Sequence, residues 1–126
     1  MLTEEQRRLY ARQVLLRELG NAGQARLCGS RVALQENGDA LASRVARDYL
    51  ERAGLTLARE SDDLAFAPIA VGTSERVQTL AGAAALHDCA AWLLGAFTAV
   101  ESIKRCLEVG QAAQLDPELV LQAEVV

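Results

Sequence analysis

The sequence predicts an α/β fold in which a short, mostly parallel sheet is flanked by helices. An apolar run at residues 31–34 precedes a helical pattern over residues 40–52, and an alternating run follows at 55–58. A strand, a helix and a second strand in this order form the unit that pairs strands in parallel. Residues 66–71 are expected to form a third strand, and Pro68 indicates an edge position or an irregular start.

The amino-terminal residues predict two helices before the first strand. Thr3 and Gln6 have the spacing of a capping box, so a helix is expected from residue 4 until Gly20. Asn21 is expected to cap a second, short helix that runs to about residue 27 and ends at Gly29.

The helix over 40–52 is amphipathic and ends at Gly54. Its apolar face is expected to be Leu41, Val45, Tyr49 and Ala53, and its charged face Arg44, Arg47, Asp48 and Glu51. Further along, Ser74 is expected to cap a helix that begins near residue 75. A longer helix should run from about residue 87 to residue 107, with Gly110 as its stop.

The tail allows two predictions. Asp116-Pro117 is typical of a helix start, whereas residues 119–126 could equally form a terminal strand.

The length, charge and composition of the chain exclude several classes of protein. A chain of 126 residues is the usual size of one domain with its own core. The net charge of −4 argues against a nucleic-acid partner. The longest apolar stretch, 80–100, is interrupted by His87 and Asp88, which argues against a membrane span. The spacing of the three cysteines is not that of a zinc site, so we expect no metal site; they are Cys28, Cys89 and Cys106. We interpret them as small buried residues of a cytoplasmic protein.

The segment from residue 32 to Gly54 has the order of a nucleotide-binding unit: strand, loop, helix and glycine before a second strand. Such a loop needs several glycines so that backbone N–H groups can approach a pyrophosphate. Only Gly38 is available in this loop. Glu36 and Asp39 also place negative charge where phosphate would lie, which opposes nucleotide binding.

Two blocks of sequence resemble a known family. The first is Leu9-Tyr10-Ala11-Arg12-Gln13-Val14-Leu15-Leu16 with Gly23-Gln24-Ala25-Arg26-Leu27 and Ser30-Arg31-Val32. The second is Gly95-Ala96-Phe97-Thr98-Ala99-Val100-Glu101-Ser102-Ile103-Lys104. They are similar to the opening and to a late helix of the ThiF/MoeB/HesA family, the ubiquitin-activating-type adenylation enzymes. The resemblance implies a reduced Rossmann-like three-layer fold: helices at 1–30, a degenerate nucleotide-binding-type unit at 31–72, helices at 73–110 and a tail at 111–126.

The chain departs from this family where ATP would be held. Only Gly38 matches the glycine-rich loop, and Glu60 or Asp62 stands where a ribose-binding acid is expected. The phosphate-binding lysine, the magnesium-binding aspartate, the paired zinc cysteines and the thioester-forming cysteine have no clear counterpart. The resemblance carries one functional residue over: Arg12 matches the arginine that reaches the ATP phosphates of a partner subunit. The competing interpretation is that Arg12 pairs with a carboxylate or packs on a neighbour.

Other groups have ordinary interpretations. His87-Asp88-Cys89 suggests an activated thiol, but adjacent helical residues point in different directions, which favours a polar pair followed by a buried cysteine. Glu101 and Lys104 are expected to form an ion pair three residues apart, and Asp62 and Asp63 to be a solvated loop.

The alanine-rich stretch at 81–99 is apolar around most of its circumference and must be covered on several sides, which favours oligomerisation.

Three functions remain open. The first is a non-catalytic scaffold that forms a homodimer, without a functional ATP loop, and partners a full-length adenylating enzyme or a ubiquitin-like sulfur-carrier protein. The second is an adenylyltransferase component that completes its ATP and magnesium site with a second chain, to which Arg12 would contribute. A small-molecule binder that uses the cleft beyond the strand ends is a third possibility.

Overall fold

A computed structural model describes residues 1–10 and 19–122 of the chain. The helices in this part are α1 (Glu4–Leu9), α2 (Gly20–Cys28), α3 (Ala40–Ala53), α4 (Ser74–Ala81) and α5 (His87–Leu107), with a 3-10 turn at Ala84–Leu86. The strands are β1 (Arg31–Val32) and β2 (Thr56–Leu57). The protein therefore combines helices with a short parallel sheet, which confirms the α/β prediction at that level.

The sheet is parallel and centred on β1. Arg31 lies opposite Thr56 and Val32 opposite Leu57. On the other side of β1, a single parallel bridge joins Leu34 to Ile69, whose N–H donates to the Ala33 carbonyl at 2.7 Å. The strand predicted at 66–71 is thus reduced to one bridging residue.

Helix α3 connects β1 to β2 and ends as the sequence predicts. Gly54 follows it with a φ of 110°, a left-handed conformation that glycine adopts without steric cost. The buried face of α3, however, consists of Ala42, Val45, Ala46 and Leu50. Tyr49, which was predicted on the apolar face, is 42% exposed and does not belong to the buried face. The physical reason is that small residues let a neighbouring helix approach closely, and this close packing outweighs the apolar area that the larger tyrosine would bury.

Helix α5 is that neighbour, and it crosses α3 at Gly95. A Cβ at Gly95 would collide with the carbonyl oxygen of Ala42 and lie 2.8 Å from the Cβ of Val45. Further along α5, Ser102 and Cys106 line a small cavity with Val32 and Ile69, so the carboxyl-terminal part of this helix lies next to the sheet.

The amino-terminal helices follow the prediction in part. Thr3 and Gln6 form both hydrogen bonds of the capping box, which confirms the helix start at residue 4. Helix α1 ends at Leu9, and the continuation expected towards Gly20 falls on residues 11–18, outside the described residues. Helix α2 begins at Gly20 without a side-chain cap, so the capping role predicted for Asn21 is wrong.

The later helices differ from the prediction at their ends. The hydroxyl of Thr73, not that of Ser74, accepts the capping hydrogen bond at the start of α4. Helix α5 spans residues 87–107 as expected, but the residue after it, Glu108, already adopts the left-handed conformation with a φ of 56°. The chain therefore reverses before Gly110, whose φ is 67°.

Residues 111–122 form neither the helix nor the strand that was considered for the tail. We call this segment the strap. Asp116 caps only a local turn, in which its side chain accepts from the Glu118 N–H at 2.9 Å. Residues 119–122 contain no strand, and residues 123–126 lie outside the described part of the chain.

No single helix within residues 1–10 and 19–122 is both long and apolar enough to cross a bilayer. Helix α4 and residues 84–107 meet the length and composition requirements only as a pair, which is bent by 113°.

Candidate functional site

The loop between β1 and α3 is the place where a nucleotide site was considered, and most of the hydrogen bonds described in this loop involve Asp39. The Asp39 carboxylate is almost fully buried, with 6% of the residue exposed. One of its oxygens accepts from the Ala42 N–H at 3.1 Å, at the first turn of α3, and the other accepts from the Ser74 hydroxyl at 3.2 Å. The Asp39 N–H donates to the carbonyl of Gly72 at 2.8 Å. The amino terminus of α3, where a bound anion would be stabilised, is therefore already neutralised by the chain's own carboxylate.

Gly38 is the residue expected to allow a phosphate to approach the backbone. A Cβ at this position would lie 2.8 Å from the hydroxyl oxygen of Ser43, 3.0 Å from the Cβ of Val71 and 3.3 Å from its carbonyl oxygen. The space that glycine leaves open is thus filled by Ser43 and Val71. Gly38 allows two segments of the protein to pack together at this point.

Glu60, the candidate ribose-binding acid, does reach the same loop. One of its carboxylate oxygens accepts from the Glu36 N–H at 3.0 Å. The Glu60 carboxylate therefore holds the loop itself. Asp62, the other candidate acid, accepts from the Arg59 N–H and lies 3.7 Å from the guanidinium of Arg31.

These residues do not suit a phosphate at the amino terminus of α3. A phosphate at the α3 terminus would have to displace the buried Asp39 carboxylate, and like charges repel. Nor does the described part of the chain contain a group of three or more His, Cys, Asp or Glu side chains placed to hold a metal ion. Arg12, the residue expected to reach a partner's phosphates, lies outside the described residues.

The sequence His87-Asp88-Cys89 does not form a nucleophilic centre. The imidazole of His87 lies 3.8 Å from the carboxylate of Asp88, and both side chains are solvated at the start of α5. Cys89 is exposed and Cys28 is half-buried, so the prediction that the cysteines are buried holds only for Cys106. Because α5 buries the side facing α3 and the sheet, Cys89 falls on its open side.

The open side of α5 is apolar. Trp92 is 49% exposed and Val100 is 52% exposed, and Ala96 lies between them at helical spacing. Residues four apart share one face of a helix. Cys89, Trp92, Ala96 and Val100 form what we call the α5 stripe, a surface suited to contact with another protein.

Glu101 and Lys104 bind the strap, a role that sequence reasoning missed. The Lys104 ammonium lies 2.8 Å from one Glu101 oxygen, as the ion-pair prediction requires, and it also donates to the Gln111 carbonyl at 2.5 Å. The second Glu101 oxygen accepts from the Ala113 N–H at 3.0 Å. The hydrogen bond from Lys104, followed by the one from Ala113, lowers the pKa of the Glu101 carboxyl below its ordinary value. Spacing along a helix predicts this ion pair, but it does not show that the pair also binds the strap.

Gln24 is a second residue whose role the sequence did not reveal. It is fully buried, and its amide donates to the carbonyl of Ala53 at 2.8 Å. It therefore ties α2 to the end of α3, beside Cys28 and Tyr10. Burial raises the pKa of the Tyr10 hydroxyl, and its interaction with Cys28 raises it further. Gln24, which belongs to the first block of the family resemblance, thus has a structural explanation within this chain.

Comparison of the chain with protein-family models, with curated proteins and with solved structures gave no match.

Proposed function

We propose that this chain is a non-catalytic scaffold or interaction protein that works as a homodimer. It would be built on a reduced Rossmann-like three-layer fold descended from the ThiF/MoeB/HesA family. The observation that carries the proposal is the buried Asp39 carboxylate at the amino terminus of α3, hydrogen-bonded to Ala42 and Ser74. A protein that used this terminus for phosphate would leave its N–H groups open.

The neighbouring contacts support the same conclusion. Glu60 accepts a hydrogen bond from the loop that would surround the phosphates, and Val71 occupies the space next to Gly38. The loop is closed by interactions within the chain, which favours a structural role for this part of the fold. The partners that fit the family resemblance are a second copy, a full-length adenylating enzyme or a ubiquitin-like sulfur-carrier protein.

Isothermal titration calorimetry with ATP and Mg²⁺ tests the absence of nucleotide binding. We expect no saturable heat at micromolar nucleotide, and clear micromolar binding would overturn the proposal. Asp39→Gly is the informative variant, because it removes the carboxylate from the α3 terminus. A weak gain of phosphate binding in both Asp39→Gly and Asp39→Asn would identify the charge of Asp39 as the feature that keeps anions out. A gain in Asp39→Gly alone would instead identify the side chain that occupies the helix terminus.

The α5 stripe supports the dimer. Its exposed tryptophan and valine form an apolar surface without a partner among the described residues. The stripe spans the twelve residues 89–100, about 18 Å of helix at 1.5 Å per residue, whereas standard interfaces bury about 800 Å² on each partner. A stable dimer would therefore need contacts beyond the stripe. Sedimentation velocity over a range of concentrations measures the oligomeric state.

The alternative is an adenylyltransferase component that completes its site with a second, full-length chain. Arg12 would then contact the ATP phosphates of that chain, since a guanidinium binds phosphate oxygens in a fixed geometry. In a reconstituted pair, Arg12→Ala should reduce pyrophosphate exchange by about tenfold or more, the effect expected for loss of an arginine that stabilises phosphate charge. An unchanged exchange rate would rule out this role.

A further inference from the structure

The strap is bound to the body of the protein through its main chain. Lys104 donates to the carbonyl of Gln111, and Glu101 accepts from the N–H of Ala113. The guanidinium of Arg76 donates to the carbonyl of Asp116 at 3.2 Å. Near its end, the N–H of Leu121 donates to the carbonyl of Leu80 at 2.7 Å. These groups all belong to α4 and α5, and together they form what we call the strap groove.

Apolar contacts complete the groove. Leu115 and Leu121 pack against the hydrophobic core. Val120 fits against Gly82, where a Cβ would lie only 2.6 Å from the Cγ1 atom of Val120. Main-chain hydrogen bonds with side-chain pockets at intervals are the way in which proteins bind extended peptides. The strap groove thus has the features of a peptide-binding site that holds a segment of its own chain.

The connection between α5 and the strap is short and strained. Glu108 is the one non-glycine residue with a positive φ in the described part of the chain, and Gly110 is also left-handed. The left-handed conformation costs an ordinary residue about 1–2 kcal/mol. A short connection under strain favours exchange of the segment that follows it, because opening relieves the strain while the exchanged segment makes the same contacts in another copy.

We propose that the strap is exchanged between two copies of this chain, so that the strap of each copy lies in the strap groove of the other. This inference rests on the homodimer of the proposed function. Residue 108 opens out of its left-handed conformation, and residues 111–122 then cross to the partner. The exchange supplies the contact area that the α5 stripe lacks.

Cross-linking of two differently tagged, co-expressed copies tests the exchange in the full chain. One copy carries Thr79→Cys and the other Gln122→Cys, both in a Cys89→Ser background. These exposed positions flank the hydrogen bond between Leu80 and Leu121. A short bismaleimide should join the two copies in the dimer fraction, with residues 79 and 122 identified in the linked peptide by mass spectrometry. One chain that carries both cysteines, cross-linked at high dilution, verifies that the positions are within reach.

Glu108→Gly is the diagnostic variant, because glycine adopts the left-handed conformation without cost and so favours the strap folded back on its own chain. We expect it to weaken dimerisation by about fivefold or more, which corresponds to the 1–2 kcal/mol that glycine saves. Glu108 also lies 3.3 Å from Arg26 in an exposed ion pair, so Arg26→Ala is the matched control and should leave dimerisation unchanged.

Each outcome distinguishes the exchange from the proposed function. A cross-copy product that decreases in Glu108→Gly supports the exchange. A dimer fraction that gives no cross-copy product, although the chain with both cysteines cross-links within itself, overturns the exchange and leaves the proposed homodimer intact. A chain that remains monomeric at every concentration overturns both, and binding of ATP overturns the proposed function independently of the strap.

Discussion

The crossing of α3 and α5 at Gly95 gives the sharpest test of how this fold is held together. In Gly95→Ala the new Cβ would collide with the Ala42 carbonyl oxygen and lie 2.8 Å from the Cβ of Val45. The carbonyl belongs to the backbone of α3, so it cannot turn aside as a flexible side chain would. The two helices must separate to admit one methyl group.

The expected effect combines two opposing contributions. Overpacking of a well-filled core costs about 1–3 kcal/mol, and the upper end applies because the obstacle is backbone. Alanine is a better helix former than glycine by about 1 kcal/mol, which offsets part of that cost. We therefore expect the free energy of unfolding to fall by about 2 kcal/mol. For a chain of this size the loss corresponds to a decrease in melting temperature of roughly 6–10 °C.

Urea unfolding followed by circular dichroism measures the change, with an unaltered m-value as the sign that both variants unfold alike. Gly29→Ala is the matched control. Gly29 has an ordinary φ of −85°, and a Cβ there would come no closer than 3.4 Å to the nearest carbonyl oxygen. This control should be neutral or slightly stabilising. If Gly95→Ala is as stable as Gly29→Ala, the close approach of α3 and α5 is refuted.

Three further predictions concern the candidate site and the surfaces. Asp39→Ala should lower the free energy of unfolding by about 1 kcal/mol, because it removes the side chain that caps α3, whereas Asp39→Asn should retain most of the stability that the cap provides. Equal losses of stability for the two variants in urea titrations would contradict the capping role. The pKa of the Glu101 carboxyl is lower in the folded protein than in the unfolded chain. The ionised carboxylate therefore stabilises the fold at any pH above the ordinary carboxyl pKa, and this stabilisation is lost as the pH falls through the lowered pKa. Glu101→Gln should therefore remove part of the acid sensitivity of hydrogen exchange at Ala113, and an identical pH profile in both proteins would argue against the hydrogen bond by which Glu101 holds the strap. Trp92→Glu should change the free energy of unfolding by no more than about 0.5 kcal/mol, because the side chain is half exposed, yet weaken dimerisation in sedimentation velocity. A dimer of unchanged affinity would exclude the α5 stripe as part of the interface.

The sequence by itself determined the helices and the order of the elements. The capping box at Thr3, the amphipathic pattern that ends at Gly54 and the long apolar run of α5 depend on neighbours within a few residues, and local chemistry is sufficient to specify them. The sequence also indicated that the loop at Gly38 is poor in glycine and rich in negative charge. The structure adds that one of these charges, the Asp39 carboxylate, is buried.

Only the tertiary structure decided which surfaces of these elements are used. Periodicity placed Tyr49 on the apolar face of α3, but the close approach of Gly95 to Ala42 turned a face of smaller residues inward. Hydrogen bonds between segments far apart in the chain give Glu60 and Glu101 roles that no local pattern contains. These interactions depend on which backbone groups remain without a partner once the chain has folded. Local spacing therefore identified the Glu101–Lys104 pair, whereas only the folded chain showed that the pair holds the strap.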